Sequence, residues 1–198
     1  TLLASSAASD VYKRQDKDGN IVGVPGYTGY LAFWVNQEIM DEVGIESIDT
    51  KEDFMKYMEA VSKDGRFGYG GSWEKTYASN EIAQFVNMFG GDYFDWTKEE
   101  NKEAIQFLHD LVANKETPVD QIADKYDQMN PKINDGKYGC WFMWGLGTDY
   151  AKADMLGADK IHMAMVPDFS GNGERAIFTD SWNYVLTVSY THLRAHET

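Results

Sequence analysis

Apolar and polar residues along the chain fall into two alternating periods. Tyr30 to Val35 is an unbroken, aromatic-rich apolar run of the kind that buried strands carry. A shorter strand is predicted just ahead of it, over Ile21 to Pro25, with Pro25-Gly26 breaking it off. Asn36 offers a cap for a helix over Gln37 to Val43, and Gly44 suits the position that ends it. Thr50-Lys-Glu-Asp53 approximates a capping box, with Asp in place of Glu or Gln, and Phe54, Tyr57, Met58 and Val61 follow at helical spacing. Asp64-Gly65 stops that helix, and Arg66 to Gly71 reads as a short Gly-rich strand. Ser79 or Asn80 starts a helix whose apolar side is Ile82, Phe85, Val86 and Phe89, ended by Gly90-Gly91.

Thr97-Lys-Glu-Glu100 is a full capping box, followed by the clearest amphipathic helix in the chain: Ala104, Ile105, Leu108, Leu111 and Val112. A weaker, polar helix is predicted over Gln121 to Asn130. Tyr138 to Trp144 reads as a buried strand and Gly145 to Leu156 as a helix after it. Lys160 to Val166 alternates as a strand, and Ala176 to Leu186 returns as one or two more. This alternation predicts an α/β fold with a mostly parallel open sheet flanked by helices.

Composition narrows the function more than the fold. The chain is 43% hydrophobic and 25% charged, the balance of a globular protein, and no apolar run is long enough for a membrane span. A net charge of -14 leaves no basic footprint for nucleic acid. Cys140 is the sole cysteine, so neither an intrachain disulfide nor a thiolate metal cluster can form. Nucleophile-elbow, zinc-protease, phosphate-loop and dinucleotide motifs are all missing from the sequence. His109 beside Asp110 reads as a helix-surface imidazole, and His162 sits in an alternating strand. The pairs Asp41/Glu42 and Glu99/Glu100 lie at helix ends and faces, where they favour the first-turn dipole or solvent. No catalytic residue, metal or cofactor is implied.

The aromatics, 14% of the chain, say more. Tyr27, Trp73, Tyr77, Trp144 and Trp182 each fall at a predicted strand end or in the loop after it. In open α/β sheets, ligands bind outside the carboxyl ends of strands. Rings there offer flat apolar faces to sugar C–H groups, and amides, hydroxyls and carboxylates meet the sugar hydroxyls. Thr28, Glu74, Asn80, Asp180 and Asn183 are placed to supply the polar partners. Trp34, Tyr138 and Trp141, inside strands, are expected in the core, and Met55, Met58, Met88, Met163 and Met165 are expected to be core filler. A carbohydrate-active enzyme or lectin domain stands as the alternative use of such rings, and an amino-sugar, polyol or peptide binder as a third.

The order of segments resembles the extracellular solute-binding proteins, family 1, of carbohydrate ABC importers. The carrying residues are Asp18-Gly-Asn-Ile-Val-Gly-Val-Pro25 and Tyr27-Thr-Gly-Tyr-Leu-Ala-Phe-Trp-Val-Asn-Gln-Glu-Ile-Met-Asp-Glu-Val-Gly-Ile45. Thr50 to Phe54, Phe89-Gly-Gly-Asp-Tyr-Phe94, Ala104 to Leu111, Asp135 to Met143 and Met165-Val-Pro-Asp-Phe169 follow in the family's order. The resemblance implies a periplasmic-binding-protein type II-like lobe and a second lobe, closing on a solute by hinge motion. It implies ligand contacts at Tyr27, Thr28, Trp73, Glu74, Tyr77, Trp144, Asp180 and Trp182. The Trp144-Gly-Leu-Gly stretch departs from the family's small-small-Trp pattern. It further implies a carbohydrate as ligand, permease subunits as partners, a monomer, and an extracytoplasmic location as a lipoprotein or periplasmic protein. Residues 1–15 and 188–198 resemble translated sequencing adapters. They are expected to be disordered and without functional weight, leaving 16–187 as a solute-binding fragment, mainly one lobe with two hinge strands.

Overall fold

The computed structural model describes residues 18–20, 22–144 and 160–184. The adapter-like ends and the helix predicted over Gly145 to Leu156 lie outside the described residues. The chain forms two compact units, one from residues 1–29 with 179–198 and one from residues 30–178.

Strand β1 (Val24–Asn36) runs straight through Pro25-Gly26, so the predicted break there is corrected. Gly26 serves close approach instead. A Cβ at that position would stand 2.9 Å from the Tyr184 ring and 3.2 Å from the Trp182 carbonyl oxygen, on the neighbouring strand β5 (Thr179–Tyr184).

In the larger unit, Asn36 ends β1 and caps helix α1 (Gln37–Val43), its side chain accepting from the Ile39 amide at 3.2 Å. Gly44 takes the left-handed conformation that releases the chain, φ 71°. Helix α2 (Lys51–Val61) opens on a complete capping box. Thr50 Oγ1 accepts from the Asp53 amide at 3.1 Å, and the Thr50 amide donates to Asp53 Oδ2 at 3.2 Å. Strand β2 (Phe67–Gly70) leads to helices α3 (Ala78–Met88) and α4 (Glu99–Ala113). The box expected at Thr97 is not made: α4 starts one residue later, after Lys98, without a side-chain cap. Thr97 is held instead by Asp95, whose Oδ1 accepts from its amide at 3.1 Å and its hydroxyl at 2.6 Å.

The polar helix predicted over Gln121 to Asn130 resolves into a 3-10 turn (Val119–Ala123) and helix α5 (Tyr126–Asn134). Helix α5 runs through Pro131 because Met129 and Ile133, one turn apart, are both fully buried. Strands β3 (Tyr138–Trp144) and β4 (Ile161–Ala164) follow.

Strand order in this unit is β2-β3-β1-β4. The α/β class and the flanking helices agree with the sequence, but the sheet is mixed rather than mostly parallel. β2 and β3 are parallel, whereas β1 runs antiparallel to both β3 and β4, with Leu31 opposite Trp144 and Phe33 opposite Ala164. Both faces are buried. Leu31, Phe33 and Val35 pack with Phe54, Met58, Phe85, Phe107 and Phe142 on one side. Ala32 and Trp34 pack with Met129, Ile133 and Trp141 on the other. Burying each large side chain contributes about 1.5–3 kcal/mol. Trp34, Tyr138 and Trp141 are core residues, as the sequence implied, and so are Met58 and Met88, but Met163 and Met165, on the β4 edge strand and just after it, are exposed rather than core filler.

Candidate functional site

The parallel pair β2/β3 brings two carboxyl ends to one rim, so the loop after Gly70 and the terminal Trp144 lie on the same edge of the sheet. The antiparallel β1 enters at that edge through Leu31, opposite Trp144.

The loop after β2 is fixed at every amide from Gly71 to Glu74. Gly71 donates to Gln121 Oε1 at 2.8 Å, Ser72 to Glu81 Oε1 at 2.7 Å, Trp73 to the Gln121 carbonyl at 3.0 Å and Glu74 to the Asp124 carbonyl at 3.1 Å. The half-buried Trp73 indole donates through Nε1 to Glu81 Oε2 at 3.0 Å. Glu81 is fully buried on α3 and also accepts from the Tyr69 hydroxyl. Burial pushes its carboxyl up to about 7, against three donors that favour the charged form. Burial and the same carboxylate push the Tyr69 phenol well above its usual range.

Tyr77 at the end of this loop packs its ring on Tyr126, the first residue of α5, at 4.6 Å between centroids. The Tyr126 hydroxyl accepts from Asn80 Nδ2 at 3.2 Å and hydrogen-bonds Trp144. Burial is the main cause of its shift up to about 12. Trp144, partly buried, meets Phe178 edge-on at 6.2 Å. Phe178 is placed by its backbone: its amide donates to Gln84 Oε1 at 2.6 Å and its carbonyl accepts from the Leu31 amide at 2.9 Å. Tyr126 thus joins Tyr77, Asn80 and Trp144, and Trp73 lies on the same rim in the loop after β2. Glu74 stands beside them but turns its carboxylate back onto the Thr76 amide, 2.9 Å away, which lowers its pKa.

The other four sequence-derived positions, Tyr27, Thr28, Asp180 and Trp182, belong to the smaller unit. Tyr27 and Trp182 stack nearly parallel, 5.7 Å between centroids and 16° between planes, with more than half of each side chain exposed. Thr28 is exposed, and Asp180 accepts from the Ser181 amide at 2.7 Å.

Sequence reasoning overlooked Tyr126, Glu81, Gln84 and Phe178. Glu81 carried a readable signal: it stands four residues before Phe85 and seven before Met88, on the face that α3 buries.

A two-faced α/β unit with rings gathered at strand ends is the architecture of a ligand-binding lobe. The chain belongs to the bacterial extracellular solute-binding protein family, which it matches over residues 3–192. It is 34% identical over 191 residues to the arabinooligosaccharide-binding protein of Halalkalibacterium halodurans, covering 89% of this chain and 42% of that protein. Among solved structures, maltose-bound MalE3 of T. maritima superposes with a TM-score of 0.76 at 19% identity, over 88% of this chain and 47% of its own. The GacH receptor of Streptomyces glaucescens GLA.O, solved free and with acarbose, gives 0.74 at 20% identity, over 93% and 49%. These likenesses show the type II periplasmic-binding-protein fold. The chain spans less than half the length of each of these relatives.

Proposed function

We propose that this chain is part of the substrate-binding component of an ABC importer, capturing a sugar or oligosaccharide for delivery to the permease. The observation that carries the reading is the shared rim of Trp73, Tyr77, Tyr126 and Trp144 at the carboxyl ends of the parallel strands. The names of the similar proteins support a saccharide, and the arabinooligosaccharide-binding relative points to pentose oligomers as the first ligands to try. In this reading Trp73, Tyr77 and Trp144 present ring faces to the solute and Glu74 and Asn80 supply polar contacts, while Tyr27, Thr28, Asp180 and Trp182 are candidate contacts carried by the smaller unit.

Capture needs no covalent step: the solute favours a closed state by contacts it makes there and not in the open one. The two strand segments of the smaller unit act as hinge crossings, residues 16–187 form the working part, and the protein acts as a monomer outside the cytoplasm, lipid-anchored or periplasmic. The test is a titration of tryptophan emission with arabinotriose and with maltose. A saturable change in the millimolar range is expected, because stacking from one side forgoes much of the burial a closed cleft gives. A flat response to both sugars, or release of monosaccharide on incubation, would sink the reading.

A further inference from the structure

One buried ionisable group near the rim, Glu81, is bonded in an unusual way. Glu81 is fully buried, yet its two oxygens take three donors from three different parts of the structure. The Tyr69 hydroxyl comes from β2, the Ser72 amide from the loop after it (2.7 Å), and the Trp73 indole from the rim itself (3.0 Å). A carboxylate buried with neutral donors alone is costly to keep, and a helix that wanted only packing here would carry an apolar residue. Space around the contact is tight as well: a Cβ on Gly71 would stand 2.6 Å from Trp73 Nε1 and 2.8 Å from Glu81 Oε2.

We propose that Glu81 is a positioning residue for solute capture, fixing the plane of the Trp73 ring at the rim through its indole N–H. The inference rests on the proposed function. A ring that stacks on a sugar must hold its plane before the ligand arrives, because ordering a mobile side chain on binding subtracts from affinity. Backbone bonds fix where the loop runs, but the indole N–H bond to Glu81 sets the rotation of the ring. Gln84, one turn along α3, does parallel work for the other side of the rim. It donates to the Ala176 carbonyl at 2.9 Å and accepts the Phe178 amide, which places the ring that meets Trp144.

The test reads the contact and its use separately. The chain has six tryptophans, so its nitrogen–proton spectrum carries six indole signals, and Trp73→Phe identifies one of them by its loss. At pH 8, where the carboxyl is ionised, that signal is expected to move in Glu81→Gln and to exchange with solvent at least about tenfold faster, since the bond to a charged acceptor is gone. A Trp73 signal unchanged by Glu81→Gln overturns the proposal. Shift titration with arabinotriose then measures affinity. Glu81→Gln and Trp73→Phe are each expected to weaken it about tenfold, and the double variant no further than the weaker single, because both delete one coupled contact. Additive losses mean that Glu81 acts on the fold at large, and they overturn the positioning role. Should Glu81→Gln fail to fold, Trp73→Phe decides alone: full affinity without the indole N–H overturns the proposal. If the unsubstituted chain binds neither arabinotriose nor maltose, the reading of function falls, while the indole signal still decides the Glu81 contact.

Discussion

Glu81 also leaves a mark on stability, with a definite sign. Its carboxyl ionises near 4.5 when exposed and at about 7 in the fold, where burial is the dominant cause. Below 4.5 both states hold the proton and the fold keeps its full advantage. As pH rises through about 7 the folded chain must ionise a buried acid, and that advantage is lost. The shift corresponds to about 3 kcal/mol between those limits. Asp49, Asp53 and Asp168 shift the opposite way, each held low by hydrogen bonds, and they titrate on the acid side of this window. Urea unfolding of the chain and of Glu81→Gln at pH 4.5 and pH 8 isolates the effect. The unsubstituted chain should lose about 3 kcal/mol more than the variant across that range. Equal losses would mean that Glu81 is not the group responsible. The Gly71 position gives a second residue-level outcome. Gly71→Ala pushes a methyl against the indole and the carboxylate, and should cost about 1–3 kcal/mol in the same assay.

Single elements show what the sequence makes legible and what it hides. Thr97 opens the fuller capping box in the sequence and Thr50 an approximate one, yet of the two only Thr50 caps a helix. At Thr50 the nearest competing acceptor is its own box partner, Asp53. At Thr97 an aspartate two residues back, Asp95, takes the amide and the hydroxyl first. Thr50→Ala should therefore cost about 1 kcal/mol, and Thr97→Ala less than about 0.5 kcal/mol, by urea denaturation. Comparable costs would show that the Asp95 turn matters as much to α4 as the box does to α2. Local periods likewise place β3, the Tyr30 to Val35 part of β1 and helices α1 to α4, because burial on one or both faces writes itself into adjacent residues. Strand direction does not. Pairing Leu31 with Trp144 joins residues more than a hundred positions apart, and no local pattern distinguishes parallel from antiparallel there. The rim is half legible for the same reason. Trp73, Tyr77 and Trp144 announce themselves as rings at strand ends, while Tyr126 reaches them from a helix start that only tertiary packing brings near.

At the scale of the whole molecule, charge separates the readings of the ligand. The chain carries 32 acidic and 18 basic residues, a net charge of -14. Such an excess draws cations toward any open site and repels anions, through a field that salt screens within about 10 Å at 0.1 M. A neutral saccharide has no net charge for that field to act on. Its affinity depends on ring stacking and on short hydrogen bonds at the rim, and neither is screened appreciably by mobile ions. An amino sugar or a basic peptide would bind partly through the acidic surroundings and would be displaced as salt rises. Titration with arabinotriose at 50 mM and at 500 mM sodium chloride should therefore give dissociation constants within about twofold of each other. The same comparison with a positively charged amino sugar supplies the contrast. If the amino sugar binds more tightly at low salt and loses that edge at high salt, while arabinotriose fails to bind at either, the site selects cationic solutes and the neutral-saccharide reading fails. If arabinotriose holds steady across both conditions, recognition lies in the aromatic rim, and the acidity of the rest of the surface governs solubility instead.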